Sequence, residues 1–320
     1  MDDAPFTLNY RAAVLCDEVA ASASALGTRR HLLPSKTTVF DFGIDVPGSE
    51  AAALLLARIC LADLAKVSLL PGGTLEWAGR MVAIETDRPV AACMAAQYAG
   101  WEIKSGEFFA MGSGPMRAAA GRESLFDDIG YREQADRCVG VLESGKLPPD
   151  EVCCEIAAKC GIEPSGLTLL VAPTSSLAGT LQVVARSVET ALHKLHELDF
   201  ELARVVRGQG SAPLPPVAED DLAGIGVAND AILYGGRVLL EVTGDDASLE
   251  EIGPQSPSSA SSDYGRPFVE VLASYGNDFY RVDPLLFSAA QITLVNIDTG
   301  NRFQFGELNI EVLKKSFGDN

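Results

Sequence analysis

The sequence predicts an α+β fold in two domains, on three observations. Helical and strand-like periodicities follow one another along 320 residues without a regular βαβ repeat. Two stretches have the composition of tight hairpins: AILYGGRVLLEV (231–242), turning at Gly235 and Gly236, and QITLVNIDTGNRFQFG (291–306), turning at Asp298 to Asn301. The length suits two domains of ordinary size or one large interlocked unit, and 47% hydrophobic with 22% charged residues is a globular composition.

Taken in order, Leu8, Ala12, Leu15, Val19 and Ala23 recur at helical spacing and predict an amphipathic opening helix over 8–26, ended by Gly27. TTVFDFGI (37–44) reads as a strand, and 49–65 as a helix capped by Ser49. VSLL, a Pro-Gly-Gly turn, MVAIET and PVAACMAAQYAGW follow as apolar, strand-like runs between turn signals. Residues 128–145 read as a surface helix or a short helix pair. Residues 148–161 read as a helix opened by prolines and closed by glycine. GLTLLVAP (166–173) is a buried strand that leads through TSSLAGT into a helix over 181–198. The Pro-, Ser- and acid-rich stretches 211–221 and 253–265 read as surface loops, and LNIEVLKKSFG closes with a helix.

A net charge of −19 argues against a surface that tracks nucleic-acid phosphates, so any anionic ligand has to be held by a local cluster. The seven cysteines are odd in number and mostly embedded in apolar runs, as reduced, buried thiols are. CCEIAAKC contains no CxxC pair, which argues against a structural zinc site. The N-terminal stretch lacks a basic region followed by an apolar core, and no apolar run reaches membrane-spanning length. The expectation is a soluble, cytoplasmic protein with no membrane partner.

GSGPMRA (112–118) follows a strand-like run. Gly112 and Gly114 permit unusual backbone angles, free N–H groups there attract anions, and Arg117 adds a positive charge. An ordinary tight turn is the competing reading, since neither the Walker nor the dinucleotide glycine pattern is present. Ser113 lies between the two glycines but lacks the full GxSxG frame of an acyl-transfer nucleophile. DFYRVDP (278–284) gathers Asp278, Tyr280, Arg281 and Asp283, which by themselves describe a polar loop. On the 181–198 helix, Leu181, Val184, Val188, Ala191, Leu192 and Leu195 form one face. Gln182, Arg186, Glu189, His193 and His196 form the other, where an exposed Arg–Glu pair would contribute only about 0.2–0.5 kcal/mol.

Four blocks taken together resemble the methenyltetrahydromethanopterin cyclohydrolase family: GSGPMRA, TSSLAGTLQVVARSVETALHKL (174–195), NDAILYGGRV (229–238) and YGNDFYRVDPLLFSAAQITL (275–294). The resemblance implies two intertwined α+β domains with a substrate cleft between them. Its expected division is 1–90 plus 225–320 against 91–224, the latter containing the Arg186/Glu189 helix. It implies an enzyme of one-carbon metabolism, in formaldehyde oxidation or methanogenesis, that reversibly hydrates 5,10-methenyl-tetrahydromethanopterin to the 5-formyl form. It further implies no cofactor or metal and a homotrimer. The family's catalytic arginine and glutamate, three residues apart, fall on Arg186 and Glu189. Glu189 is then the general base on water, and Arg186 tunes it. Expected substrate contacts are Gly112, Ser113, Gly114, Arg117, His193, Tyr234, Tyr280 and Asp283. The rival readings are a noncatalytic pterin carrier and a Ser113-dependent hydrolase.

Overall fold

The computed structural model describes residues 7–72 and 79–318, with the side chain of Tyr280 outside the description. The strands are β1 (Arg29–Leu32), β2 (Thr38–Asp41), β3 (Lys66–Leu70), β4 (Met81–Thr86), β5 (Trp101–Ser105), β6 (Phe108–Ser113), β7 (Cys138–Glu143), β8 (Leu167–Ala172), β9 (Val205–Pro213), β10 (Arg237–Val242), β11 (Gln291–Asn296) and β12 (Arg302–Gly306). The helices are α1 (Leu8–Leu26), α2 (Glu50–Cys60), α3 (Met116–Ala120), α4 (Leu125–Asp128), α5 (Asp150–Lys159), α6 (Leu177–Val184), α7 (Ser187–Glu197), α8 (Asp221–Gly235), α9 (Asp246–Ile252), α10 (Phe268–Ser274) and α11 (Ile310–Phe317). The α+β class expected from the sequence is the observed one. Among the described residues no helix is long and apolar enough to cross a membrane.

The chain forms two compact units. The first comprises the described residues of Met1–Ala65 and Ala91–Gln182, the second those of Lys66–Val90 and Val183–Asn320. This division differs from the expected 1–90 plus 225–320 against 91–224. The reason is strand pairing: β1 and β2 join the sheet of β5 to β8, and β9, with the helix before it, joins the sheet of β10 to β12, choices that no local pattern announces.

In the first unit the strand order is β1-β2-β8-β7-β6-β5, with β2 and β7 parallel to β8 and the other pairs antiparallel. The central strands are apolar on both faces because both are covered. Helices α1 and α2 pack toward β7, while Val152 and Ile156 of α5 join Val39, Leu142, Leu169 and Val171 in one core cluster. Cys138, Cys153 and Cys160 are buried free thiols of that cluster. Residues 138–143, expected as surface helix, are therefore an interior strand, and a continuous apolar run of six residues fits one. Similarly, Val90–Gln97 is a π-helical segment in place of the expected strand.

The start of α1 is held from far along the chain. Thr7 accepts the N–H of Tyr10 through its side chain, while the Glu133 carboxylate takes the N–H groups of Leu8 (2.8 Å) and Asn9 (2.9 Å), donors that no helix can satisfy internally. The buried Asn9 amide donates to Pro115 O (2.9 Å) and to Glu133, and it accepts the N–H of Val139 (2.9 Å). The helix ends at Gly27, φ 68°, where a Cβ would come within 2.7 Å of Gly48 O.

In the second unit the order is β12-β11-β10-β9-β4-β3, antiparallel except for β10 with β11. The expected hairpin at 231–242 is instead the end of α8 followed by β10. Asp220 caps α8 by accepting the N–H of Ala223 at 2.8 Å. Gly235 and Gly236 end the helix, with the Gly236 N–H donating to Ile232 O. The hairpin expected at 291–306 is present as β11 and β12. Within α8 the buried Asp230 accepts from the Phe268 N–H (2.8 Å) and the Ser316 hydroxyl (2.6 Å), tying α10 and α11 to it. Burial pushes its carboxyl up to about 7, against these two hydrogen bonds.

Two outcomes follow from these anchors. Replacing Asn9 by Leu strands the buried Val139 N–H, while Pro115 O keeps the Ala118 N–H, and chemical denaturation should show a loss of roughly 1–3 kcal/mol. The folded protein also retains a proton on Asp230 that the unfolded chain has released. Stability from this group is therefore present below about pH 4 and lost as pH rises through about 7. Asp230→Asn should flatten that part of the melting-temperature profile between about pH 4 and 7.

Candidate active site

The helix expected over 181–198 is broken. Helix α6 ends at Val184, Ala185 and Arg186 form a turn, and α7 begins at Ser187 with Arg186 (φ −85°, ψ 7°) in the cap position. The Arg186 N–H donates to Val183 O at 2.9 Å, and the Arg186 carbonyl accepts the Thr190 N–H at 2.8 Å, so the turn interrupts the helix without stranding those groups. Glu189 thereby becomes the third residue of α7, within the first turn where the helix dipole favours an anion. The pair is not surface decoration: Arg186 is 5% and Glu189 4% exposed. Two opposite charges kept out of water are rare without a partner or a function.

The location of α7 follows from two glycines of β9. A Cβ at Gly208 would lie 2.7 Å from Val188 Cγ1, and one at Gly210 would land on Ser187 Oγ. With no side chain at either position, the first turn of α7 rests directly on the strand. Because successive strand residues point to opposite faces, Gln209 and Ser211 lie on the far side. There, with Ser68, Arg237, Gln291 and Thr293 among polar and apolar neighbours, they line a groove of about 460 Å³.

Two further α7 side chains differ in kind. His193 is half-buried with Nε2 3.6 Å from the Glu197 carboxylate; burial lowers its pKa, Glu197 raises it and His196 lowers it. Lys194 is fully buried, and its ammonium donates to the carbonyl of Leu285. Burial lowers its pKa to about 8, with Asp283 pulling the other way. Sequence reasoning passed over Lys194. The legible hint was its place outside the polar stripe that holds Arg186, Glu189 and His193.

Asp283 caps the turn Pro284–Leu286 by accepting the Leu285 N–H (3.0 Å). It also accepts the Ser261 hydroxyl (2.6 Å), and its own N–H donates to Asp263 (3.2 Å), which in turn accepts the Tyr275 hydroxyl (3.0 Å). The backbone of Tyr280 belongs to the short turn Phe279–Arg281, while the placement expected for its side chain lies outside the described residues. Tyr234 is fully buried. Its hydroxyl donates to Arg266 O (2.6 Å) and accepts the Gly265 N–H (3.2 Å).

Gly112, Ser113, Gly114 and Arg117 belong to the first unit, while Arg186, Glu189, His193, Tyr234 and Asp283 belong to the second. Gly114, φ 90°, donates its N–H to Ala96 O at 2.8 Å. The Ser113 hydroxyl is buried 3.3 Å from Val141 O and 3.4 Å from Cys60 Sγ. The Arg117 guanidinium, expected as an open cationic cluster, is fully buried. It pairs with Glu123, donates to Met94 O (3.0 Å), and lies over the rings of Tyr98 and Phe126. These contacts commit it to packing inside its unit.

Comparison with known proteins adds a class to this arrangement. The family model described as Cyclohydrolase (MCH) matches residues 7–317. A protein of Rhodopirellula baltica named methenyltetrahydromethanopterin cyclohydrolase is 47% identical over 88% of this chain and 86% of its own. Proteins of the same name from Methylobacillus flagellatus (45%; 95% of this chain, 93% of theirs) and Methanococcoides burtonii (38%; 98% of each) are similar along nearly their whole length. The chain belongs to the cyclohydrolase (MCH) family, which makes it an enzyme, a hydrolase of C–N bonds.

The contact between α7 and β9 is open to a direct check. Gly210→Ala should destabilise the protein by about 1–3 kcal/mol through overpacking against Ser187. Adding Ser187→Ala should recover part of that loss in a double-mutant cycle read by denaturant midpoint.

Proposed function

We propose that this enzyme reversibly adds water to 5,10-methenyl-tetrahydromethanopterin to form the 5-formyl derivative, with Glu189 as general base and Arg186 as the cation that keeps it ready. The observation that carries the reading is the burial of both charged groups, three residues apart, at the start of α7. Family membership and the relatives' names support the substrate.

The chemistry asks little beyond these groups. The methenyl carbon lies in a cationic amidinium and is already electrophilic. Glu189 takes a proton from water as the oxygen bonds to that carbon, giving a tetrahedral carbinol. The bond from carbon to the distal nitrogen then breaks with its electron pair going to nitrogen. That nitrogen receives the proton held by Glu189, and the carbinol O–H proton leaves to solvent as the formyl group forms. One proton is released overall. A cation beside Glu189 favours the carboxylate needed for the first step. Neither metal nor prosthetic group enters this scheme.

The test is the disappearance of the methenyl chromophore above its uncatalysed hydrolysis. Wild type should consume it rapidly. Glu189→Gln should bind the pterin but lose about 10²- to 10⁴-fold in kcat, the usual contribution of a general base. A wild-type protein that leaves the chromophore unchanged overturns the reading, and so does an undiminished Gln variant.

A further inference from the structure

Lys194 is a buried charge that the proposed reaction does not use. We propose that it is a positioning residue: its ammonium ties α7 to the turn at Asp283–Leu286 and thereby fixes the attitude of the helix that carries Arg186 and Glu189. The inference rests on the function proposed above.

Four observations lead there. A lysine with no exposed surface is costly to keep, and a methionine of similar length would fill the same space without the desolvation of an ammonium. The Lys194 ammonium reaches one backbone group of Leu285, its carbonyl, while Asp283 holds the other, its N–H, so the residue is pinned from both sides. Asp283 is itself anchored by Ser261 and, through its N–H, by Asp263, which Tyr275 holds. The turn is thus a fixed point. Finally, the first turn of α7 is seated on Gly208 and Gly210 of β9.

Beyond that turn α7 is held by the apolar packing of Ala191, Leu192 and Leu195 and by contacts to β10, which have no preferred direction as a hydrogen bond has. Lys194 lies five residues beyond Glu189, about 7.5 Å further along the axis at 1.5 Å per residue. A directed attachment at that distance fixes the attitude that apolar packing leaves loose. The quantity at stake is the direction of the Glu189 carboxylate, since a misplacement of about 1 Å can cost on the order of 10² in rate. Asp283 adds a charge of opposite sign on the same side of Lys194, which holds the ammonium toward the turn.

The full-length enzyme with Lys194→Met and Lys194→Arg tests this, with kcat and KM for the methenyl pterin measured at a temperature where each variant is folded by near-ultraviolet circular dichroism. Lys194→Met should lower kcat at least about tenfold while KM stays within about threefold. Lys194→Arg, which still donates to the Leu285 carbonyl, should recover most of that loss. Hydrogen exchange should quicken in 186–190 and 279–288 of the Met variant and stay unchanged in β9 and β10. Ser261→Ala, which loosens the turn without touching α7, should lower kcat in the same sense by a few fold, and it decides the matter if Lys194→Met does not fold. A folded Met variant with the kcat of wild type overturns the proposal, whatever its melting temperature. An Arg variant as slow as the Met variant, or an unchanged Ser261→Ala, also overturns it. If wild type itself leaves the pterin unchanged, the proposed function falls and this role with it. An active wild type with a silent Lys194→Met removes the positioning role alone.

Discussion

The seating of α7 on Gly208 and Gly210 is the constraint on which the second unit turns. A helix normally stands off a sheet by the thickness of two layers of side chains. Here one layer is missing at the first turn, so Ser187 and Val188 lie against bare strand. That closeness decides which way the next residues face. Helix α6 ends at Val184, and a turn at Ala185 and Arg186 separates it from α7. Arg186 is buried at the break, and Glu189 stands in the same first turn that rests on β9. The same strand presents polar side chains on its other face, so a single β-strand serves a packed surface on one side and a groove on the other.

How much of this was legible depended on how local the signal was. The helix over 8–26 and its Gly27 stop, the Ser49 cap and the strand at 166–173 came from periodicity and capping, which act over a few residues. Gly235–Gly236 misled because two glycines suit a hairpin turn and a helix end alike. What separated the two was Asp220, a cap fifteen residues upstream, with a small-residue helix between. Residues 138–143 misled because a strand covered on both faces loses the alternation by which strands are recognised. The order of the strands was beyond reach, as were the joining of 1–65 to the sheet of β5 to β8 and of 183–224 to that of β10 to β12.

At the site, the spacing of Arg186 and Glu189 was visible, but the spacing alone described an exposed ion pair on a straight helix. Burial turned it into something else, and burial is a property of the sheet underneath. Lys194 shows the converse. Its neighbours Leu192 and Leu195 mark an apolar stripe, yet the carbonyl that accepts its hydrogen bond comes from Leu285, ninety-one residues later. Arg117 read as a cation for an anionic ligand, and its partners in space, the carbonyl of Met94 and the rings of Tyr98 and Phe126, give another reason for a cation in that motif.

The pairing of β4 with β9 has a consequence for how the chain is made. Ile84 faces Gly210 in that ladder, and the start of α1 waits on Glu133 in the same way. At a synthesis rate of about 5–20 residues per second, the hairpin of β3 and β4 leaves the ribosome roughly 6–25 s before its neighbouring strand exists. Neither unit is contiguous: the first is whole once Gln182 is made, whereas 66–90 has to wait for the rest of its own unit, Val183–Asn320. Over that interval an apolar strand edge stands open to any other chain nearby, and yield in the cell becomes a matter of how fast the second half arrives.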